Sequence, residues 1–270
     1  MATTDSRRPV STAELHRSLQ ASGESALAKY QDLFVGSRGL WSFLRYEALT
    51  LASGCPGAAG FVLRRLCFRP LLGRLGRGTV FGRNVVLRNP GRISIGANVV
   101  IDDNVVLDAK GPGDGITLGD GALVSRNSIL SCKGGGIVLG AGSKIGTNCL
   151  VHSESRVEIG PDVTVAAYCY LLAGGNHEFD RPDVPVIGQP SFHKGGVSVG
   201  EGSWLAARVT VLDGVAIGRG AVIGAGAVVR DGVPDGAIAV GTPAKVIRFR
   251  GDGHGAGPAA PAGAGADAAG

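Results

Sequence analysis

Apolar positions recur every six residues over most of this chain. From Val199 the sequence reads VGEGSW, LAARVT, VLDGVA, IGRGAV, IGAGAV and VRDGVP, each block opening on an aliphatic residue. The same frame covers FGRNVV at Phe81, LRNPGR at Leu87, IGANVV and IDDNVV from Ile95, and LDAKGP at Leu107. It continues as LGDGAL, VSRNSI and LSCKGG from Leu118, LGAGSK, IGTNCL and VHSESR from Leu139, and IGPDVT, VAAYCY and LLAGGN from Ile159. Of these 20 blocks, 19 begin with Val, Leu or Ile, which total 66 of 270 residues, so an unselected position would give about five. A period of six fits neither an amphipathic helix nor a long half-buried strand. It fits short strands joined at corners, with one aliphatic side chain per block pointing inward and three blocks per triangular coil. Glycine holds the second position in nine of the 20 blocks, where a corner needs backbone freedom and close approach. The predicted fold class is mainly β, a parallel β-helix over residues 79–248.

One interruption stands out. Leu139 and Ile159 are 20 residues apart, three sixes and two extra, whereas Ile159 and Val199 are 40 apart. The surplus lies at 174–196 and predicts a loop protruding from the rigid coil, a common place for function.

Residues 1–78 read as a helical extension and 249–270 as a disordered Gly/Ala/Pro tail. Within the extension, 1–10 form a loose leader. Ser11 and Glu14 have capping-box spacing, and Leu15, Leu19, Leu27 and Tyr30 form a loose apolar stripe. A second helix follows Ser37, carries Leu40, Trp41, Phe43, Leu44, Tyr46, Leu49 and Leu51, and ends at Ser53-Gly54. A third apolar segment, 61–75, carries Arg64, Arg65, Arg69 and Arg74 and is broken by Pro70. Charge sharpens this picture. The net +5 is concentrated between Arg38 and Arg92, which hold ten arginines, no lysine and the single acid Glu47. Two readings stand for this segment. Either it packs on its own domain or a partner subunit with the arginines snorkelling to water, or residues 38–92 make peripheral contact with an anionic membrane. Nucleic acid is not expected as a partner, because no recognition motif is visible.

Composition excludes other classes. The 46 glycines follow no three-residue period, so the chain is not collagen-like. No apolar run is long enough for a membrane span. Five cysteines at wide spacing, with no CxxC and no signal-like apolar core, predict a cytoplasmic chain with reduced thiols, at most lying at the inner face of the cell membrane.

Three motifs carry candidate chemistry: GGNHEF at 174–179, SWLAARVTVLDGVAIG at 203–218 and GTPAKVIR at 241–248. With the repeat, they resemble the hexapeptide-repeat acyltransferases, in particular the sugar O-acetyltransferases of the maltose and galactoside type and those of bacterial polysaccharide biosynthesis. The resemblance implies a left-handed coil, against the usual right-handed crossover, and a homotrimer with the thioester slot between neighbouring helices. It implies acetyl-CoA as co-substrate, with no permanently bound cofactor and no metal, and a small-molecule or glycan acceptor. It makes His177 the catalytic base, since an imidazole of ordinary pKa about 6.5 can take a hydroxyl proton as the oxygen attacks a thioester. It sets the backbone N–H of Ala207 against the thioester oxygen. Trp204 either walls the acyl or pantetheine slot or simply covers a corner. Ala225, Thr242, Lys245 and Arg248 complete the coenzyme A set, Thr242 standing where the family has asparagine or valine, and the two basic residues facing nucleotide phosphates.

Acceptor contacts are implied for Asn148, Asn176 and Gln189, although asparagine also suits a coil corner. No cysteine occupies a nucleophile position, so direct transfer is expected. Other readings are N-acylation of an amino-sugar, a non-catalytic scaffold, and, remotely, zinc held by His152, His177 and His193.

Overall fold

A computed structural model describes residues 25–110 and 113–252. The repeat forms a three-sided parallel β-solenoid. Its first face stacks seven strands from Arg74–Leu75 to Ala216–Ile217, and its second runs from Val80–Phe81 to Ala237–Val240. The third face stacks seven strands from Val86–Arg88 to Val228–Val229. Register follows the hexads, with Ile145, Val165, Leu205 and Ile223 in line along the second face. The first strand lies inside the stretch read as helical. Pro70 has ended the preceding helix, and LGRGTV at Leu75 is itself a hexad.

Each hexad buries two positions rather than one. The first holds the large aliphatics, such as Ile101, Leu107, Ile145, Leu205 and Val211. The fifth is also buried and small: Val99, Ala122, Ser128, Ser143, Cys149, Cys169, Ser203 and Val209. Polar fifth-position side chains share one task. Ser128, Ser143 and Ser203 donate to Gly146, Gly160 and Gly218 O at 2.7, 2.6 and 2.8 Å. Cys149 and Cys169 do the same to Ala166 and Ala206 O at 3.0 and 3.1 Å. These cysteines are interior hydroxyl analogues. The neighbouring Cys169 side chain, together with burial, pushes the Cys149 thiol up, and burial raises that of Cys132 to about 11.

The second-position glycines do not need conformational freedom. A Cβ on Gly140 would meet the backbone of Gly160 and Pro161 one coil on, so close approach is what selects glycine there. The left-handed conformation falls two places later, at the fourth position, on Asn84, Asn98, Asn104, Asn127 and Asn148 or on Gly78, Gly121 and Gly142. Asparagine tolerates that conformation and adds stacking bonds: Asn84 Nδ2 donates to Asn104 Oδ1 at 3.2 Å, and Asn104 Nδ2 to Asn127 Oδ1 at 3.1 Å.

The described helices are α1 (Ala26–Tyr30), α2 (Leu40–Ser53) and α3 (Gly57–Phe68). The Ser11–Glu14 box, Leu15, Leu19 and residues 253–270 of the predicted tail lie outside the described residues. α2 and α3 close the first coil, whose outer carbonyls have no preceding strand. Arg65 Nη1 donates to Thr79 O at 2.7 Å, and Arg64 Nε to Phe81 O at 3.0 Å. Ser53 Oγ donates to Val85 O at 2.7 Å, and Tyr46 Oη to Leu87 O at 2.9 Å. Arg64 and Arg65 therefore turn inward, contrary to the expected snorkelling, because a buried sheet edge needs donors and a guanidinium supplies several. Phe68 stacks edge-on against Phe81. Phe34, in the π-turn Gln31–Val35, lies under the guanidinium of Arg88, which with Lys110 faces Asp108. At the far end, Lys245–Phe249 folds back antiparallel on Ala237–Val240.

Removing a donor from the first coil should cost the bond and strand a buried carbonyl. Tyr46→Phe is expected to lower stability by about 1 kcal/mol, and Arg64→Met by about 2 kcal/mol or more, in urea unfolding. Equal midpoints for both variants and the wild type would refute the closure.

Candidate functional site

The long loop leaves after Tyr170–Ala173 on the third face and returns at Val197–Val199 on the first. It therefore springs from the edge between those faces. Gly174 and Gly175 turn the chain outward at φ 125° and 75°, values that exclude a side chain without strain. Inside the loop, Asn176–His177 pairs antiparallel with Ser191–Phe192, setting His177 opposite Ser191. Gln189 is buried and staples the loop to itself. Its amide donates to Arg181 O and Val184 O at 2.9 Å each and accepts from Arg181 N at 3.3 Å. The ring of His177 is half-buried, and its Nδ1 is buried with no partner among the described residues, which is uncommon for a polar atom.

Two carboxylates from adjacent coils bracket the loop base. Glu154, one coil before, accepts Gly175 N–H at 2.9 Å and faces His152 Nε2 at 3.4 Å. A carboxylate only accepts, so His152 Nε2 carries the proton. These donors, the His152 ring first, hold the Glu154 carboxyl down at about 2. Asp213, one coil after, is 5% exposed. Its Oδ2 accepts Asn176 Nδ2 and Lys194 N–H at 2.7 Å each, and its Oδ1 accepts Gly196 N–H at 2.8 Å. Asn176 is thus spent on positioning, one residue before His177, and Asp213 holds both arms of the loop. Beneath the returning arm lies a cleft of about 250 Å³ lined by Arg156, Glu158, Lys194 and Ser198.

The other candidates gather on a different edge, between the second and third faces. Trp204 lies on the second face, in register with Thr164 and Val222, and is half exposed. Ala207 and Ala225 are exposed at successive corners beyond it. Several corner N–H groups are capped by acids, as Arg83 N–H by Asp103 Oδ1 at 2.6 Å and Ala97 N–H by Asp120 Oδ1 at 2.8 Å. Ala207 N–H meets no acceptor among the described residues. Asn148 stands two coils earlier on the same edge, in the left-handed corner conformation at φ 56°. Tyr168 and Arg208 take that conformation too, both at φ 62°, with the guanidinium 6.0 Å from the ring. Thr242, Lys245 and Arg248 lie in the returning segment that closes the second face, Lys245 opposite Val240 and Arg248 opposite Ile238. The candidate residues of one chain thus fall on two edges: His177, Asn176 and Gln189 on one, and Trp204, Ala207, Ala225 and Asn148 on the other.

His152, His177 and His193 do not converge. His152 is engaged with Glu154, His193 is exposed, and among the described residues no group of three or more His, Cys, Asp or Glu side chains is placed to hold a metal ion.

A family model described as bacterial transferase hexapeptide (six repeats) matches residues 196–231, the coils that carry Trp204, Ala207 and Asp213. Over these coils the chain is similar to the bacterial transferase hexapeptide proteins. A protein named "Probable acetyltransferase Rv3034c" from Mycobacterium tuberculosis is 33% identical over 162 residues, 59% of this chain and 51% of that one. The chain thus spans about half the length of this curated relative. Among solved structures, a mutant of AntD, an N-acyltransferase from Bacillus cereus bound to dTDP and coenzyme A, matches at a TM-score of 0.48 and 21% identity, covering 69% of this chain and 89% of its own. A maltose O-acetyltransferase from Clostridium difficile matches at 0.42 and 18%, covering 84% and 98%.

Asp213 and Glu154 lie outside the three motifs' candidate residues. The signal was present: an acid at the corner of VLDGVA, one coil above the loop exit, and another at the corner below the loop entry. Two outcomes follow. Asp213→Asn keeps the shape but replaces one acceptor oxygen with a donor facing donors, so amide exchange across 174–196 should quicken at least about tenfold while the coil strands stay protected. Unchanged exchange in the loop would remove Asp213 from this role. The Glu154 carboxyl lies below its ordinary 4.5, at about 2. Its hold on the loop is therefore complete above about pH 4.5 and lost as pH falls toward 2. Glu154→Gln should abolish that acid-range change in loop exchange; if the change persists, another group causes it.

Proposed function

We propose that this hexapeptide-repeat protein is an acyl-CoA-dependent acyltransferase that moves an acetyl group from acetyl-CoA to a hydroxyl of a sugar or glycan. One observation carries this reading: a histidine with a buried, unpartnered ring nitrogen, on a loop clamped at both arms by Asp213 and at its entry by Glu154. A purely structural loop needs no such clamp, and a general base does, because proton transfer falls steeply with misplacement.

His177 takes the acceptor hydroxyl proton as the oxygen attacks the thioester carbonyl. The oxyanion is met by the open Ala207 N–H. The carbon–sulfur bond breaks, and the proton passes from His177 to the leaving thiolate, giving the acetyl ester and free coenzyme A. Trp204 walls the slot, and Lys245 and Arg248 meet the nucleotide phosphates. The two half-sites lie on different edges of one coil, which supports a homotrimer in which the loop of one subunit faces the Trp204 edge of the next. A cytoplasmic setting, where acyl-CoA is available, and a role in bacterial polysaccharide or glycolipid assembly complete the reading.

His177→Ala should lower the transfer rate at least about 100-fold while acetyl-CoA binding measured by calorimetry is retained. Near wild-type transfer would sink the mechanism. Mixing subunits of two inactive variants, His177→Ala and Trp204→Arg, should restore part of the activity, since some interfaces then join an intact loop to an intact edge. No restoration would contradict a site shared between subunits. Presenting hydroxyl and amino acceptors side by side distinguishes O- from N-acylation.

A further inference from the structure

Helix α3 is built inside out, and α2 carries a second apolar stripe on its outer side. A surface helix ordinarily turns its apolar stripe to the core and its charges to water. In α3, Arg64 and Arg65 point into the protein, bonded to Phe81 O and Thr79 O, while Ala58, Phe61, Val62, Leu63 and Leu66 face outward. In α2, Tyr46, Leu49 and Ala52 pack inward. Leu40, Trp41, Leu44, Ala48 and Leu51, spaced one, four, eight and eleven residues from Leu40, form an outward stripe. Trp41 is 73% exposed, Leu51 79% and Leu66 64%. The two helices pack side by side, so the stripes form one patch. A contiguous apolar surface of this kind marks an interaction site.

Charge selects the occupant. Arg45, one turn from Trp41, and Arg69, just beyond α3, are exposed at the patch, and Arg74 and Arg77 are exposed further along. Between residues 25 and 92 the only acids are Asp32 and Glu47. Asp32 is bound to Arg38, and Glu47 accepts from the Tyr30 hydroxyl at 2.7 Å. Two copies of this patch set face to face would oppose arginine with arginine and supply no acid. An anionic bilayer satisfies both features: acyl chains receive Leu, Phe and Trp, and headgroup phosphates receive the guanidinium groups. No helix among the described residues is long and apolar enough to cross a membrane.

We infer that the outward face of α2 and α3 is a docking surface for an anionic lipid bilayer, on which the protein lies peripherally. The inference stands independently of the acyltransferase reading.

The test is co-sedimentation of the full chain with phosphatidylcholine vesicles, with and without phosphatidylglycerol. Partitioning should be stronger on the anionic vesicles and fall as salt rises. Arg45→Gln with Arg69→Gln should weaken it by about tenfold or more. Leu44→Ser with Leu66→Ser should weaken it on both vesicle types, with the oligomer unchanged by ultracentrifugation. A Trp204→Phe background leaves Trp41 as the only indole, and its emission should shift to the blue on anionic vesicles. Equal partitioning of wild type and variants would overturn the inference. So would absence of vesicle binding combined with dissociation of the oligomer in the Leu44/Leu66 variant, which would make the patch a subunit contact.

Discussion

A parallel coil has an unavoidable defect at its beginning: the carbonyls of the first turn point outward with no strand to receive them. Here Thr79, Phe81, Val85 and Leu87 are such carbonyls, and each is met by a side chain from α2 or α3. Much of the extension follows from that requirement. Arginines are drawn inward because they carry donors on a long stem. In α3 the inward face is held largely by these polar contacts and by Phe68, and in α2 they join the apolar face of Tyr46, Leu49 and Ala52. Leu40, Leu44, Leu51, Leu63 and Leu66 are left outside.

The same economy of edges organises the loop. A solenoid offers only corners from which a long insertion can spring, and an insertion has no register of its own. The coils before and after it supply the anchors. Glu154 and Asp213 lie at the corners below and above the point of departure, and their carboxylates take N–H groups from the loop base. Rigidity is passed from a stacked sheet to a histidine several residues away through four short hydrogen bonds and the Gln189 staple. Asn176 and Gln189, read as acceptor contacts, spend their amides on this support.

The period of six and its break at 174–196 are inscribed in single residues, because the first position of each hexad points inward and takes a large apolar side chain. Fold class, loop position and the candidate histidine were therefore readable directly. Of the two reasons for glycine at a corner, backbone freedom and close approach, only the second applies at the second position of the hexad. Close approach selects it at the second position, and left-handed backbone selects Asn or Gly at the fourth, a distinction that depends on where the next coil lies. The second buried position of each hexad has no uniform signature, because Ser, Cys and Ala share it with Val. They are small because they sit under a corner.

The sequence by itself determined the repeat, the triangular coil, the protruding loop and the basic extension, since each is a local or periodic property of residue types. Tertiary structure alone decided which side of the arginine-rich helices faces water, which acids hold the loop, and that the candidate residues fall on two edges of one chain. Those depend on what stands beside each group in space. A carbonyl without a strand, an N–H without an acceptor and a leucine without a core are all defined by neighbours that the linear order does not name.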